Sequence, residues 1–191
     1  FSLNGPIPLP TENLSSFFSV RTRTSYTPIK KSSPVYVESI YPKVGVAAFI
    51  LAEGKVLVGK RQGSHAAGLW ACPGGHVDYT EPLETTAARE VLEETGLSDI
   101  AWHPEPIQVS DDVAYGKRYF TFVMFGTLPV VKEAQNLEPH KCEQWKWTDL
   151  SEFIGHEDQL MICLQRLLQT YSREDLLYLT PDHIRYHGQN S

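Results

Sequence analysis

The chain has 191 residues, of which 41% are hydrophobic and 21% charged, and its formal net charge is −6. That length suits one domain, and the mixed composition excludes a wholly disordered, fibrous or coiled-coil chain. No apolar run approaches the ~18 residues of a membrane-spanning helix, and 17 Lys and Arg against 23 Asp and Glu argue against a basic surface for nucleic acid.

Residues 1–43 hold six of the thirteen prolines and twelve Ser or Thr, and carry +3, leaving −9 on the remainder. A Ser-rich, Arg-containing, acid-poor start is either an organelle-import segment or a flexible tail whose prolines resist packing. A short alternation at residues 35–40 is its one periodic stretch. From Val44 the pattern changes: residues 44–51 form a nearly continuous apolar run, the mark of a strand buried on both faces. Ala52-Glu53-Gly54-Lys55 reads as a hairpin turn, residues 56–60 as the return strand, and residues 62–68 as a Gly-rich loop. Leu83–Thr95 is the clearest helix, with Thr80 or Glu81 as cap, Pro82 in the first turn and Gly96 just past the end. Residues 107–110 and 119–128 read as two strands around Ala114-Tyr115-Gly116-Lys117, residues 144–147 as another, and residues 159–171 as a second amphipathic helix. Strands and helices mix without regular βαβ alternation, which favours an α+β or sandwich-like arrangement over a doubly wound sheet.

Cys72, Cys142 and Cys163 are widely spaced, with no Cys-x-x-Cys pair, so neither a zinc finger nor a disulfide framework is expected.

On a wheel of about 100° per residue, Glu90, Glu93 and Glu94 fall within an arc of roughly 100°. Ala87, Ala88, Val91, Leu92 and Thr95 occupy the side suited to burial. The acid cluster is either a solvated face or a cation site. Like charges at i,i+4, as in Glu90 and Glu94, cost a few tenths of a kcal/mol unless neutralised, and hard oxygen donors suit Mg²⁺ or Mn²⁺. Before the helix, Pro73-Gly74-Gly75 makes a bend at which the backbone can approach a ligand closely. Lys60-Arg61, ending a strand beside the Gly-rich loop, could bind phosphate oxygens, as could Lys117 or Arg118. His76, Phe120, Phe122, Trp145 and Trp147 are candidates for a flat base. Trp145 and Trp147 share one strand face, as a pocket wall or a packing seam.

The run Gly75-x5-Glu81-x7-Arg89-Glu90-Val91-Leu92-Glu93-Glu94-Thr95-Gly96-Leu97 matches the Nudix box at every defined position. The chain resembles the Nudix hydrolases, and its flanks (residues 59–63, 69–76 and 137–147) are similar to the MutT-like nucleoside triphosphate diphosphatases. The likeness covers residues 44–171, within a Nudix domain drawn over residues 44–191, and leaves the tail aside. It implies a mixed β-sheet sandwiched between α-helices, a divalent cation (Mg²⁺, with Mn²⁺ as substitute) and a homodimer. It further implies a metal-dependent pyrophosphohydrolase that cleaves nucleoside triphosphates, dGTP-like or oxidised purine, to nucleoside monophosphate and diphosphate. Alternatives are hydrolysis of another nucleoside diphosphate conjugate or a prenyl diphosphate, or a non-catalytic nucleotide-binding module, although such modules usually lack the box glutamates that are intact here.

Residue by residue, the resemblance makes Glu90 and Glu94 the strongest metal ligands, with Glu93 joining them or acting as general base. Arg89 orients a glutamate, Glu81 steadies Arg89, and the Gly75 carbonyl is a backbone ligand. Glu138 is the candidate for an additional carboxylate from a later loop, with Glu133 and Glu143 nearby. Substrate contacts fall to Lys60, Arg61, Gly74, His76 and Glu138. The partner is a nucleotide, with neither nucleic acid nor membrane. A cytoplasmic location is expected, unless the tail directs mitochondrial or plastid import.

Overall fold

In the computed structural model, residues 41–63, 66–114 and 116–179 are described. Residues 1–40, with the alternation at 35–40, Ser64, His65, Tyr115 and residues 180–191, the end of the expected 44–191 domain, lie outside the described residues.

The apolar run becomes β1 (Lys43–Ala52), which turns at Glu53-Gly54, both with positive φ, into β2 (Lys55–Arg61). β1 and β2 pair antiparallel only at the hairpin, Leu51 with Val56 and Ala52 with Lys55. β2 then diverges to β3 (Trp70–Ala71) and β7 (Cys142–Asp149). β1 runs parallel to the long strand β6 (Lys117–Thr127) in unbroken register from Lys43–Tyr119 to Leu51–Thr127. β5 (Gln108–Ala114) and the two-residue β4 (Ala101–Trp102) pair antiparallel with opposite ends of β6. The result is a seven-stranded mixed sheet.

Side-chain alternation along the central strands feeds two cores. Val46, Ala48, Ile50 and Met124 face α1 (Leu83–Thr95) and meet its Ala87 and Val91. Ala47, Phe49, Leu51, Val123 and Phe125 face the other way. They meet α2 (Leu150–Gly155), α3 (Ile162–Thr170) and α4 (Arg173–Tyr178) through Leu150, Phe153, Leu164, Leu167 and Leu176. The expected sheet between helices is therefore present, with β1 buried on both faces.

Three local expectations change. α1 has Pro82 as its N-cap with no side-chain cap, because Glu81 is spent on Thr86 Oγ1 and Arg89 rather than on the helix end. The buried face of α1 is also rotated: Glu90 and Glu94 are buried, whereas Leu92 is 52% exposed. The helix expected over residues 159–171 begins only at Ile162, since Met161 N–H donates to the Trp70 carbonyl at 2.9 Å and Leu160 bridges Trp70. A strand contact thus takes the first turn of that amphipathic pattern. All three cysteines are free and buried.

Candidate active site

The bend Pro73-Gly74-Gly75 runs beside β1 as if it were another strand. Ala48 N–H donates to the Pro73 carbonyl at 2.8 Å and Val46 N–H to the Gly75 carbonyl at 2.9 Å. Glycine is required twice here. Gly74 has φ 158°, and a Cβ on it would sit 2.2 Å from the Val46 carbonyl oxygen. A Cβ on Gly75 would lie 2.3 Å from Glu90 Oε1. The bend is therefore pressed between β1 and α1, and it carries the backbone to the acid face of the helix.

Arg89 organises that face. Its Nε donates to both Glu81 oxygens at 3.1 and 3.2 Å, Nη1 to Glu90 Oε1 at 2.8 Å and Glu93 Oε2 at 3.1 Å, and Nη2 to Glu81 Oε2 at 3.0 Å. One planar guanidinium thus fixes three carboxylates through five contacts, more than the three donors of a lysine ammonium supply. The Arg89 hydrogen bonds hold the Glu81 carboxyl below its usual range. Nη2 also reaches the His76 carbonyl at 3.4 Å.

Glu94 has a different environment. It is 5% exposed, and its Oε2 accepts from Gly74 N–H at 3.1 Å. Burial pushes its pKa up to about 7; neighbouring Glu90 and Glu138 push the same way, and the Gly74 N–H and Lys141 resist. Glu138 and Lys141 arrive because the chain after β6 folds back over the end of α1, with Gln135 N–H on the Thr95 carbonyl and Leu137 N–H on that of Glu94. Lys141 Nζ lies 2.6 Å from Glu138 Oε2.

A cavity of about 390 Å³ has walls that include Gly74, Gly75, His76, Arg89, Glu90 and Glu94; the expected Glu138 is not one of them and meets it only through Lys141. Arg61 and Lys141 supply positive charge at its margin, while Tyr119, Thr121 and Met161 close the far side. Among the described residues, no three acidic, His or Cys side chains already converge as a cation cluster. Glu90 and Glu93 are turned onto Arg89 instead, and the Gly75 carbonyl keeps a second lone pair beyond its bond to Val46. The donors nonetheless fit a hard divalent cation: all are oxygens, and the repulsion among Glu90, Glu94 and Glu138 calls for positive charge.

Most of the expected residues come together and some do not. Arg61, Gly74, Gly75, His76, Arg89, Glu90 and Glu94 line the cavity, and Glu93 joins through Arg89. Lys60 does not line it. Strand alternation turns Lys60 away from Arg61, and its ammonium lies 3.9 Å from Glu143. Arg118 is held by Asp111, with two bonds of 2.8 Å. Phe122, Trp145 and Trp147 pack into the α1 core, so the tryptophan face is a packing seam, and Phe120 lies under the Arg118 guanidinium. Of the five base candidates, His76 alone lines the cavity. Lys141 and the wall from Tyr119, Thr121 and α3 join the cavity without any signal in the sequence, because contacts between distant segments leave no periodic trace.

Residues 41–170 match the NUDIX domain. The RNA pyrophosphohydrolase of Bartonella henselae is 32% identical over 130 residues, covering 56% of this chain and 75% of that protein. The ADP-ribose pyrophosphatase of Methanocaldococcus jannaschii is 37% identical over 68 residues, so the chain spans 40% of that relative and 36% of itself is matched. The solved MutT protein of Methanosarcina mazei Go1 superposes with a TM-score of 0.60 at 27% identity, covering 71% of this chain and 97% of that one.

Proposed function

The chain belongs to the NUDIX hydrolase family as a MutT-like member, and from that premise we propose that it is a metal-dependent pyrophosphohydrolase of nucleoside triphosphates. The supporting observation is the arrangement around Arg89: one guanidinium carries Glu81, Glu90 and Glu93 at the wall of a cavity that also holds buried Glu94 and the Gly74-Gly75 bend. Glu90, Glu94 and the Gly75 carbonyl would hold the cation. When bound, it supplies charge neutralisation for the polyphosphate and activation of water.

The chain's own residues do the remainder. Arg61 and Lys141 draw the phosphate chain into an otherwise acidic cavity. Gly74 keeps Glu94 aimed inward through its N–H. Glu93, with 54% of its side chain exposed, accepts the proton of the attacking water while Arg89 steadies it. Water adds at phosphorus, the bond to the bridging oxygen breaks, and nucleoside monophosphate and diphosphate leave.

The test is product release with Mg²⁺ or Mn²⁺ from nucleoside triphosphates, ADP-ribose, other nucleoside diphosphate conjugates and triphosphate-ended RNA. Diphosphate with monophosphate from the free triphosphates is expected, and Glu94→Gln should lose at least ~10²-fold in rate while staying folded. Full activity in that variant would overturn the metal assignment, and cleavage confined to the conjugates or RNA would overturn the substrate.

A further inference from the structure

Asp112 has no part in the chemistry above, yet it is 5% exposed. On β5 its side chain points toward α3 and borders a second cavity of about 250 Å³. Leu69, Leu160, Met161 and Ile162 make that cavity largely apolar, with Gln165 as another polar neighbour. A buried carboxylate in such a setting is costly unless its lone pairs are used. Among the described residues it has two contacts: the Ser110 hydroxyl donates to Oδ2, and Arg166 Nε reaches Oδ1 at 3.4 Å. One contact on each oxygen leaves Asp112 with acceptor sites for donors from the cavity.

The two cavities adjoin. Tyr119, Thr121, Met161 and Cys163 line both. A ligand with phosphates between Arg61 and the Arg89 set can therefore extend into the smaller space. At about 250 Å³, that space is below the ~300–1,000 Å³ of whole-ligand clefts and suits one moiety of a ligand. Resting on the nucleotide function above, we propose that the smaller cavity receives the base and that Asp112 selects guanine by accepting from its two adjacent N–H donors.

The chemistry of the bases makes the choice. A carboxylate offers two acceptors side by side. Guanine alone presents a ring N–H next to an exocyclic amino group. Adenine and cytosine set their amino group beside a ring acceptor, which the carboxylate repels, and uracil and thymine flank one N–H with two carbonyls. A site built to hydrogen-bond a group discriminates strongly against an analogue lacking it, because its own buried acceptor is left unpaired.

The deciding pair is dGTP and dITP, which differ only in the 2-amino group, with dATP as a further comparison. Wild-type kcat/KM is expected to favour dGTP over dITP by at least ~10-fold. Asp112→Asn, nearly isosteric, should bring dGTP down to the dITP level while changing dITP little. A role confined to tying α3 to β5 would lower both substrates together. Ser110→Ala leaves the carboxylate but frees its orientation, and should narrow the ratio even if Asp112→Asn fails to fold. Equal rates on dGTP and dITP in the wild type, or an unchanged ratio in the folded variants, would overturn the role of Asp112 and leave the hydrolase intact. Absence of hydrolysis of every nucleoside triphosphate would overturn the proposed function and this role with it.

Discussion

At the scale of single residues, the site contrasts two kinds of carboxylate. Glu81 is stabilised as an anion by Arg89, whereas burial keeps Glu94 protonated up to about pH 7. The sign for stability follows. With the folded pKa near 7 and the ordinary value 4.5, Glu94 favours the folded metal-free state fully below pH 4.5, and that contribution is lost as pH rises through 7. Glu94→Gln, permanently neutral, should match the wild type near pH 4.5 and exceed its stability by up to about 3 kcal/mol at pH 8. Denaturant titrations with chelator at both pH values check this, and excess Mg²⁺ should remove the advantage by binding the wild-type anion. The carboxylate spacing was legible because a helix repeats every 3.6 residues; the raised pKa of Glu94 and the hold of Arg89 on Glu90 and Glu93 were not, because they depend on what the bend, the later loop and Arg89 press against them.

At the scale of elements, the long ones were readable. β1, β6 and α1 run 10, 11 and 13 residues, enough for periodicity to declare itself. β3 and β4 have two residues each, and α2 and α4 have six, too few for any pattern. Two glycines show how differently elements depend on close approach. Gly75→Ala puts a methyl group against Glu90 at the end of a side chain that can yield. It should cost activity on the order of 10²-fold through misplacement, with a stability loss of about 1 kcal/mol or less. Gly59→Ala, within β2, drives a methyl group to 2.4 Å from Cys142 Sγ and 2.6 Å from the Trp145 ring. There the neighbours are packed core, and a loss of about 1–3 kcal/mol is expected. Melting temperature and turnover measured together on both variants separate the two effects.

At the scale of the whole molecule, the described residues contain the sheet, both cores and both cavities. Among them no helix is long and apolar enough to cross a membrane. We infer that residues 1–40 take no part in the chemistry. A chain lacking them is expected to keep its kcat/KM and melting temperature, and a loss of either on deletion would assign them a catalytic or structural role.

The parallel pairing of β1 with β6 also has a consequence in time. Lys43 lies against Tyr119 and Leu51 against Thr127, so each partner is made 76 residues after the other. At ~5–20 residues per second, the ribosome takes roughly 4–15 s to supply the second strand. During that interval β1 can pair only with its hairpin neighbour and with the Pro73-Gly74-Gly75 bend, and α1 emerges before the sheet beneath it is complete. The helix that bears the carboxylates is therefore born between the two halves of its own support, and the loop that brings Glu138 and Lys141 up to Glu94 comes only after the second.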